Sequence, residues 1–496
     1  MNALLLALAL AAAPVSELRW GADAQGGAPF VFQDPTNPNH LVGFEVELAG
    51  AIAARLGKRA MPVQGQWEKL LELLEREDFD IALNGIEVAE EKKRVALLSR
   101  PYFYAPERLT VRKGDAAAPR SVEGLKGRKV GTLPGSMGER ILTQAGADVR
   151  TYEGGQDEIY ADLKLGRTDA VLLDAPIALF YGELDPGLEN VPGDYGGVEY
   201  AIALRLGNDE LRAQIDTALE ALTRDGTLRA IYERWGLWSP EVAKLLGDAD
   251  PAPRAPAIEY LRWRTAVGKL PPFWERVTTR YPQLLPLFAR GALLTVAVSV
   301  LAMVLAIVLG VVLAMGRRYG PRPVRLACIA YIEFFRGTPL LIQLTLIYFG
   351  LPEVGIKLPA FIAGVIALGL NYAAAEAENY RAGLESVPNG QLEAASVLGF
   401  SRLQSLRFIV APQAVRIAIP PMTNDFIALL KDSSLVSFVT LTELTKTYTN
   451  LASSTRDHLG LGLVVALFYL VIGLPFSVLA RSVERHFARH LRKELA

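Results

Sequence analysis

Two rhythms of hydrophobic and polar residues divide the chain. From about Glu17 to Trp238 short apolar runs alternate with stretches of helical period, the pattern of a soluble α/β protein. The run FDIALNG, Phe79 to Gly85, reads as a buried parallel strand. Val46, Ala49, Ala53 and Leu56 make one face of a helix that stops at Gly57. RKVGTL, Arg128 to Leu133, reads as a strand leading into PGSMGERIL, where Gly135 and Ser136 open a helix, and TDAVLLD, Thr168 to Asp174, is a further strand with Asp174 at its carboxyl end. Between Ser239 and about Pro286 the helical pattern is interrupted by Pro251, Pro253, Pro256, Pro271 and Pro272, so 239–289 is expected to be a linker with a pre-membrane helix.

Beyond Arg290 the apolar runs lengthen, over about 291–315, 324–351, 358–377, 408–430 and 461–481. Each approaches the roughly 20 helical residues that a hydrocarbon core requires, which predicts five membrane spans in 290–482. Arg317, Arg318, Arg322 and Arg325 follow the first span, Arg381, Arg402 and Arg407 the third, and Arg481, Arg485, Arg489, Arg492 and Lys493 close the last span and fill the basic tail over 483–496. The positive-inside bias puts all three on the cytoplasmic side of the cell membrane and leaves everything before Arg290 outside. The run Ala3 to Ala13 is too short to span and reads as a signal peptide over 1–13, although it lacks the usual Lys or Arg ahead of the apolar stretch.

Composition narrows the function classes. Of 496 residues 51% are hydrophobic and 21% charged, as expected for a polar part joined to a membrane part. With 52 basic and 53 acidic residues the formal net charge is -1, and no nucleic-acid partner is expected. Cys328 is the only cysteine, and His40, His458, His486 and His490 fall in no metal-ligand spacing, so neither a disulfide nor a metal site is expected. No GxxxxGK followed by Ser or Thr occurs, so no ATP-binding P-loop is read in this sequence and no cofactor is assigned to it.

The segment LEAASVLGFSRLQSLRFIVAPQA carries Glu393, Ala394 and Ala395, then Gly399, then Ile409 and Pro412. It resembles the EAA loop of bacterial ATP-binding-cassette importers, here about 385–412, with Ala411 where that motif usually has Leu. Small Ala394 and Ala395 let a short helix seat closely in a partner's groove, and Gly399 permits a sharp turn. A plain Ala-rich helix is the bland alternative, but triplet, glycine and proline together fall in a basic loop between two expected spans. The resemblance implies a separate ATPase subunit as partner, with Glu393, Ala394, Ala395 and Gly399 at the coupling point.

From about Leu284 onward the chain is similar to the permease subunits of polar amino acid importers, most clearly in EFFRGTPLLIQLTLIYFGLP, Glu333 to Pro352. Read from the residues alone, a charge at Arg336 inside a span costs at least about 2.5 kcal/mol and needs a partner. Glu333, three residues earlier on the same face, is the expected ion-pair partner, with Gly337 and Pro339 bending the helix; a span that begins after Pro339 is the alternative. Pro412, Arg416, Pro420, Pro421, Asn424 and Asp425 interrupt the fourth span and are expected to face a neighbouring subunit or a polar passage rather than lipid.

LVGFEVELA, FDIALNG, SRPY and DAVLLDAP give 17–238 a resemblance to the polar amino acid family of periplasmic binding proteins. The implied fold is a two-lobed α/β domain, lobe one 17–110 and 200–238 and lobe two 111–199, ahead of an all-α type I importer permease. The resemblance implies that Asp174 meets an amino acid's ammonium, amides at Gly135 and Ser136 its carboxylate, and Trp67 stacks on it, with Asp23, Asn84 and Gly85 completing the lobe-one wall. Lys92 stands where that family has an arginine, Ala89 where it has a threonine, and Glu87 and Met137 where it has small hydroxylated residues; no second aromatic stands near Gly26 and Gly27. Glu87, facing the cleft, would favour a solute with an extra positive charge. For Asp174 the competing reading is a cap on the following helix.

The chain is thus expected to be the binding and permease subunit of an importer for polar amino acids or related small polar solutes, pairing with a second copy in the lipid membrane. A glutamate-receptor-type ligand-gated channel would insert its pore between the lobes, whereas here both lobes are complete before the first span. An enzyme on the binding-protein fold would use Glu87, Asp174 or Lys92 as acid and base, but nothing in the sequence places two such groups on one bond.

Overall fold

The protein is described by a computed structural model covering residues 16–152, 155–268 and 270–494. The expected signal peptide lies outside the described residues, as do the side chains of the basic tail beyond 482. The chain divides into two compact units, one running to Gln283 together with Thr449–Leu459, the other Leu284–Tyr448 with 460 onward.

The first unit holds two sheets. Glu17–Ala22 pairs in parallel with Arg59–Gln64 on one side and with Ile81–Ala82 on the other, and Ala203–Leu204 then pairs antiparallel with both Ile81–Ala82 and Leu97–Leu98. Ile81 and Ala82 lie inside the expected FDIALNG strand, and Ile81, Ala82 and Leu83 are fully buried, as suits a strand covered on both faces. The helix Phe44–Arg55 covers this sheet with Phe44, Leu48, Ala49, Ile52 and Ala53. It begins after Gly43, whose φ of +142° places a would-be Cβ 1.9 Å from the Phe30 carbonyl oxygen, so only glycine fits this entry turn.

The second sheet runs in the order Leu188–Val191, Phe103–Arg112, Ala170–Asp174, Lys129–Thr132, Asp148–Thr151, with Gly197–Tyr200 also on Phe103–Arg112. Phe103–Arg112 and Gly197–Tyr200 therefore stand in the second sheet, and the chain passes between lobes near Tyr102 and Ala201 rather than at 110 and 200. Aromatic rings fill the crossing. Phe103 lies 5.6 Å from Phe44, 5.7 Å from Tyr200 and 5.2 Å from Tyr232, and the Tyr232 hydroxyl donates to the Tyr102 carbonyl at 2.6 Å.

The stretch after Trp238 is more ordered than a linker. Helices Pro240–Leu246 and Ile258–Val267 contribute Val242, Ala243, Trp263 and Val267 to the core of the first unit, and Trp263 packs on Phe180 at 4.7 Å. Pro251, Pro253, Pro256, Pro271 and Pro272 fall between helices, where a missing N–H breaks no helical bond. From later in the chain, Ser454 accepts the Gln33 N–H at 3.0 Å and Arg456 pairs with Asp157 at 3.0 Å, which makes Thr449–Leu459 part of this unit.

The second unit is helical. Among the described residues three helices are long and apolar enough to cross a membrane, Tyr281–Tyr319, Ala360–Glu385 and His458–Leu479. The first starts at Tyr281, ahead of the expected 290. The expected second span is a pair, Arg322–Gly337 and Leu340–Val354, bent by 106°. Gly337 and Pro339 sit at that bend as the sequence predicted, and Gln343 closes it: its Nε2 donates to the carbonyls of Phe335 at 3.0 Å and Thr338 at 3.1 Å. Those carbonyls stand at a helix end without helical partners, and a side-chain amide takes the place of those partners. The expected ion pair of Arg336 with Glu333 is not the one formed; Arg336 approaches Glu378 at 4.0 Å, because Glu378 projects from the neighbouring helix and already gathers Arg317 and Arg381.

Ala411–Asp432 occupies the place of the expected fourth span but is not apolar enough to count as a crossing on composition. It packs on Ala360–Glu385 through small residues: a Cβ on Gly383 would come 2.6 Å from the Ala414 carbonyl oxygen. Asp425, one of its polar residues, accepts the Asn379 amide at 2.7 Å.

Candidate functional site

The cleft of the first unit is assembled from strand ends and the turns that follow them. Asp174 ends the strand Ala170–Asp174, and its side chain makes no cap bond to the next helix. The capping alternative is therefore not adopted. The carboxylate is partly exposed and accepts the Tyr200 hydroxyl, and no Lys or Arg among the described residues forms an ion pair with it. Burial, then the nearby Glu87 charge, push its pKa up to about 6, against the opposing bond from Tyr200. Directly across the antiparallel ladder stands Glu107, fully buried and held well above the ordinary carboxyl range first by burial and then by Asp174.

On the facing lobe the turn after Ile81–Ala82 carries Asn84, Gly85 and Glu87. Asn84 and Gly85 both adopt positive φ, +133° and +63°, and this turn aims the Asn84 carbonyl at the Trp67 indole, which donates to it at 2.8 Å. Glu45 holds the turn from beneath by accepting the Gly85 N–H at 2.8 Å and the Tyr102 hydroxyl. Asp23 is tied into the wall: it accepts the N–H groups of Gln25 at 3.0 Å and Trp67 at 3.2 Å and the Gln64 amide at 2.8 Å, while its own N–H donates to Asn84 Oδ1 at 2.7 Å. Asp23 thus orients Trp67 and Asn84.

The helix-opening turn differs in detail from the expectation. The helix begins at Met137, with Ser136 as its N-cap, accepting the Glu139 N–H at 3.2 Å. The Gly135 N–H donates to Glu139 Oε2 at 2.6 Å, so this amide is satisfied within the turn itself. Met137 N–H is the amide turned to the opposite lobe, where it meets Glu87 Oε1 at 2.8 Å. Glu87 Oε2 accepts Arg140 at 2.6 Å and lies 4.0 Å from Lys92, whose ammonium stands 5.5 Å from the Trp67 ring centroid. Burial lowers the Lys92 pKa, and the Glu87 charge opposes that shift.

In the second unit the segment of the EAA resemblance forms a short helix, Asn389–Val397, ended by Gly399 at φ +79°. The Phe400 N–H returns to the Ala395 carbonyl and the Gly399 N–H to Ser396, both at 3.0 Å, the closing bonds of a left-handed C-cap. Ala395 is buried against its own unit, whereas Glu393, Ala394, Val397 and Leu398 are exposed, the last two at 88% and 76%. A second helical piece begins with Ser401 and Gln404 in a reciprocal capping box.

Residues 18–237 match the family described as bacterial extracellular solute-binding proteins, family 3, and residues 306–489 match the binding-protein-dependent transport system inner membrane component. Over 195 residues the chain is 38% identical to the probable glutamine ABC transporter permease protein GlnM of Bacillus subtilis (strain 168), covering 39% of this chain and 90% of that protein. Over 210 residues it is 34% identical to the L-cystine-binding protein TcyJ of Escherichia coli (strain K12), covering 42% of this chain and 78% of that protein. The chain belongs to the polar amino acid ABC importer family. Within that family it joins a binding-protein domain to a permease domain in one polypeptide. A solved ancestral arginine-binding protein bound to arginine shares 36% identity, covering 44% of this chain and 98% of that one with a TM-score of 0.41.

Of the importer's expected cleft residues, the structure brings Asp174, Glu87, Lys92, Trp67, Asn84, Gly85 and Asp23 together with the turn at Gly135 and Ser136. It adds Arg140, Glu107, Tyr200, Glu45 and Tyr102, none of them among the residues expected from the sequence. Two carried a signal. Glu45 is a charge among the apolar positions that open the helix Phe44–Arg55, and Glu107 is a charge inside a ten-residue strand otherwise buried at alternate positions.

Proposed function

We propose that this chain supplies both solute capture and membrane passage for an ATP-driven importer of polar amino acids or closely related small polar solutes, with ATP hydrolysis provided by a separate subunit. The observation that carries the reading is Asp174. It is a carboxylate at the end of a buried strand that feels the Lys92 charge yet forms no ion pair with a Lys or Arg among the described residues, which suits it to a solute ammonium. Glutamine and cystine are the first candidates, since relatives of the permease and binding domains bear those names.

The domain division is a binding domain over 17–238 with the helices of 240–267 packed into its core, and a permease over 290–482 entered through the helix that starts at Tyr281. Five crossings follow if the bent pair and Ala411–Asp432 each count as one beside the three apolar helices. With the basic loops inside, the binding domain lies outside the cell membrane and the C-terminus in the cytoplasm. Two copies would pair around a pathway. The exposed end of Asn389–Val397 and Leu398 would seat in the ATPase, with Glu393, Ala394 and Gly399 at the contact.

Calorimetric titration of the full-length protein in detergent with glutamine, cystine and the other common amino acids tests the reading. Micromolar or tighter binding that disappears in Asp174→Asn is expected. Absence of binding across the whole panel would sink it.

A further inference from the structure

Glu87 occupies a part of the cleft equipped for an anion. Met137 N–H, at the opening of an eight-residue helix, reaches Oε1 at 2.8 Å; Arg140 reaches Oε2 at 2.6 Å, and Lys92 stands 4.0 Å away. A helix-terminal amide, a guanidinium and an ammonium converging on one point form an oxyanion receptor by any physical criterion. The carboxylate in it belongs to the protein, and its side chain is 2% exposed. It also comes from the opposite lobe, since Glu87 follows the strand Ile81–Ala82 of the first sheet while Met137 and Arg140 follow Lys129–Thr132 of the second.

We infer that Glu87 is an internal competitor for the solute's carboxylate: it fills the anion-binding end of the cleft in the absence of solute, and a solute bearing a carboxylate must displace it. The inference rests on reading this cleft as the solute site. Glu87 as a direct counterion for a cationic solute is disfavoured by the ion pairs it already makes. Arg140 and Lys92 both form ion pairs with its single charge, whereas Asp174 forms none among the described residues and shares only the more distant influence of Lys92. Exchange of one carboxylate for another keeps the local charge balanced, so Arg140, Lys92 and the Met137 amide pass to the solute and Glu87 turns out toward water beside the part-exposed Arg140. Glu87 therefore sets how strongly a carboxylate is rewarded in this pocket and restrains affinity for it.

The test compares ligands with and without carboxylates, glutamine with 4-aminobutanamide, which lacks its α-carboxylate, and cystine with cystamine, which lacks both, on full-length wild type, Glu87→Gln and Glu87→Ser. Both variants should tighten Kd for the carboxylate-bearing member by about tenfold or more while the matched amine changes little. Two substitutions of different size guard against a local packing defect, and thermal unfolding of each verifies the fold. Unchanged or weakened carboxylate binding in both folded variants, with wild type still binding an amino acid, overturns the inference and leaves the importer reading standing. No binding of any amino acid or amine by wild type or variants removes both.

Discussion

Asp174 and Glu107 are register partners on adjacent antiparallel strands, and neither oxygen of Glu107 receives a hydrogen bond from an N–H or hydroxyl donor. Glu107 is fully buried and Asp174 part-exposed, and burial pushes both carboxyls upward, so the two do not ionise together. Asp174, part-exposed and bonded by the Tyr200 hydroxyl, is raised to about 6 and so titrates near neutrality.

A pH dependence of solute binding follows. Asp174 is anionic above about pH 6 and becomes neutral below it, so affinity for an ammonium-bearing solute should fall as pH drops through 6, by at most about tenfold per unit. Titration at pH 7.5, 6 and 5 checks this, and Asp174→Asn should be weak and flat across the series. A wild-type profile flat from pH 7.5 to 5 would mean that the solute's charge is met elsewhere.

Glu45 should make the first unit less stable at high pH. Its carboxyl is fully buried, with Oε2 unpaired, and burial raises its pKa from 4.5 to about 7 against the bonds from Tyr102 and Gly85. A folded pKa raised above the unfolded one stabilises below about pH 4.5, and that contribution is lost as pH rises through 7. Glu45→Gln keeps an acceptor for the Gly85 N–H and removes the buried charge. It should gain about 1–3 kcal/mol at pH 8 and much less at pH 5 in thermal unfolding of the full-length protein.

Trp67→Ala removes the ring under the Lys92 ammonium and the indole bond to the Asn84 carbonyl at 2.8 Å. Solute affinity should drop by about 0.5–2 kcal/mol, with a larger effect for planar or cationic solutes than for small aliphatic ones. Equal loss for both kinds would indicate damage to the Asn84 turn rather than loss of stacking.

Gly399→Val forces a β-branched residue into φ +79° at the end of Asn389–Val397. Solute binding should remain at the wild-type level while solute-stimulated ATP hydrolysis by the assembled transporter falls by an order of magnitude or more. Wild-type stimulation in this variant would place the ATPase contact elsewhere in the permease.

Much of this architecture was legible because period and length decide it. FDIALNG and TDAVLLD contain the buried strands Ile81–Ala82 and Ala170–Asp174, and the Gly337–Pro339 break lies where the breaker residues stand. Pairings between distant elements were not legible. Arg336 turned to Glu378 rather than to its helical neighbour Glu333, and Glu87 met Arg140 across the cleft, because neither partner is near in sequence. The amide expected at Gly135 is used within its own turn by Glu139, a local competitor visible only once the backbone closes. The prolines after Trp238 suggested a linker, but Trp263 and Val267 bury themselves in the binding domain, which a breaker count cannot foresee.

The strand Ala203–Leu204 lies between Ile81–Ala82 and Leu97–Leu98 in the first sheet, yet the whole of the second lobe's sheet precedes it in the chain. A ribosome therefore delivers this joining strand only after some hundred intervening residues have emerged, and until then Leu97–Leu98 has no neighbour linking it to the rest of its sheet. Closing so long an interval is slow compared with local contacts. The second lobe, whose six strands are all made before residue 201, is positioned to fold first and hand the returning chain back. The order of synthesis and the order of the sheet disagree, and the binding domain can be completed only when the last lobe-crossing has been made.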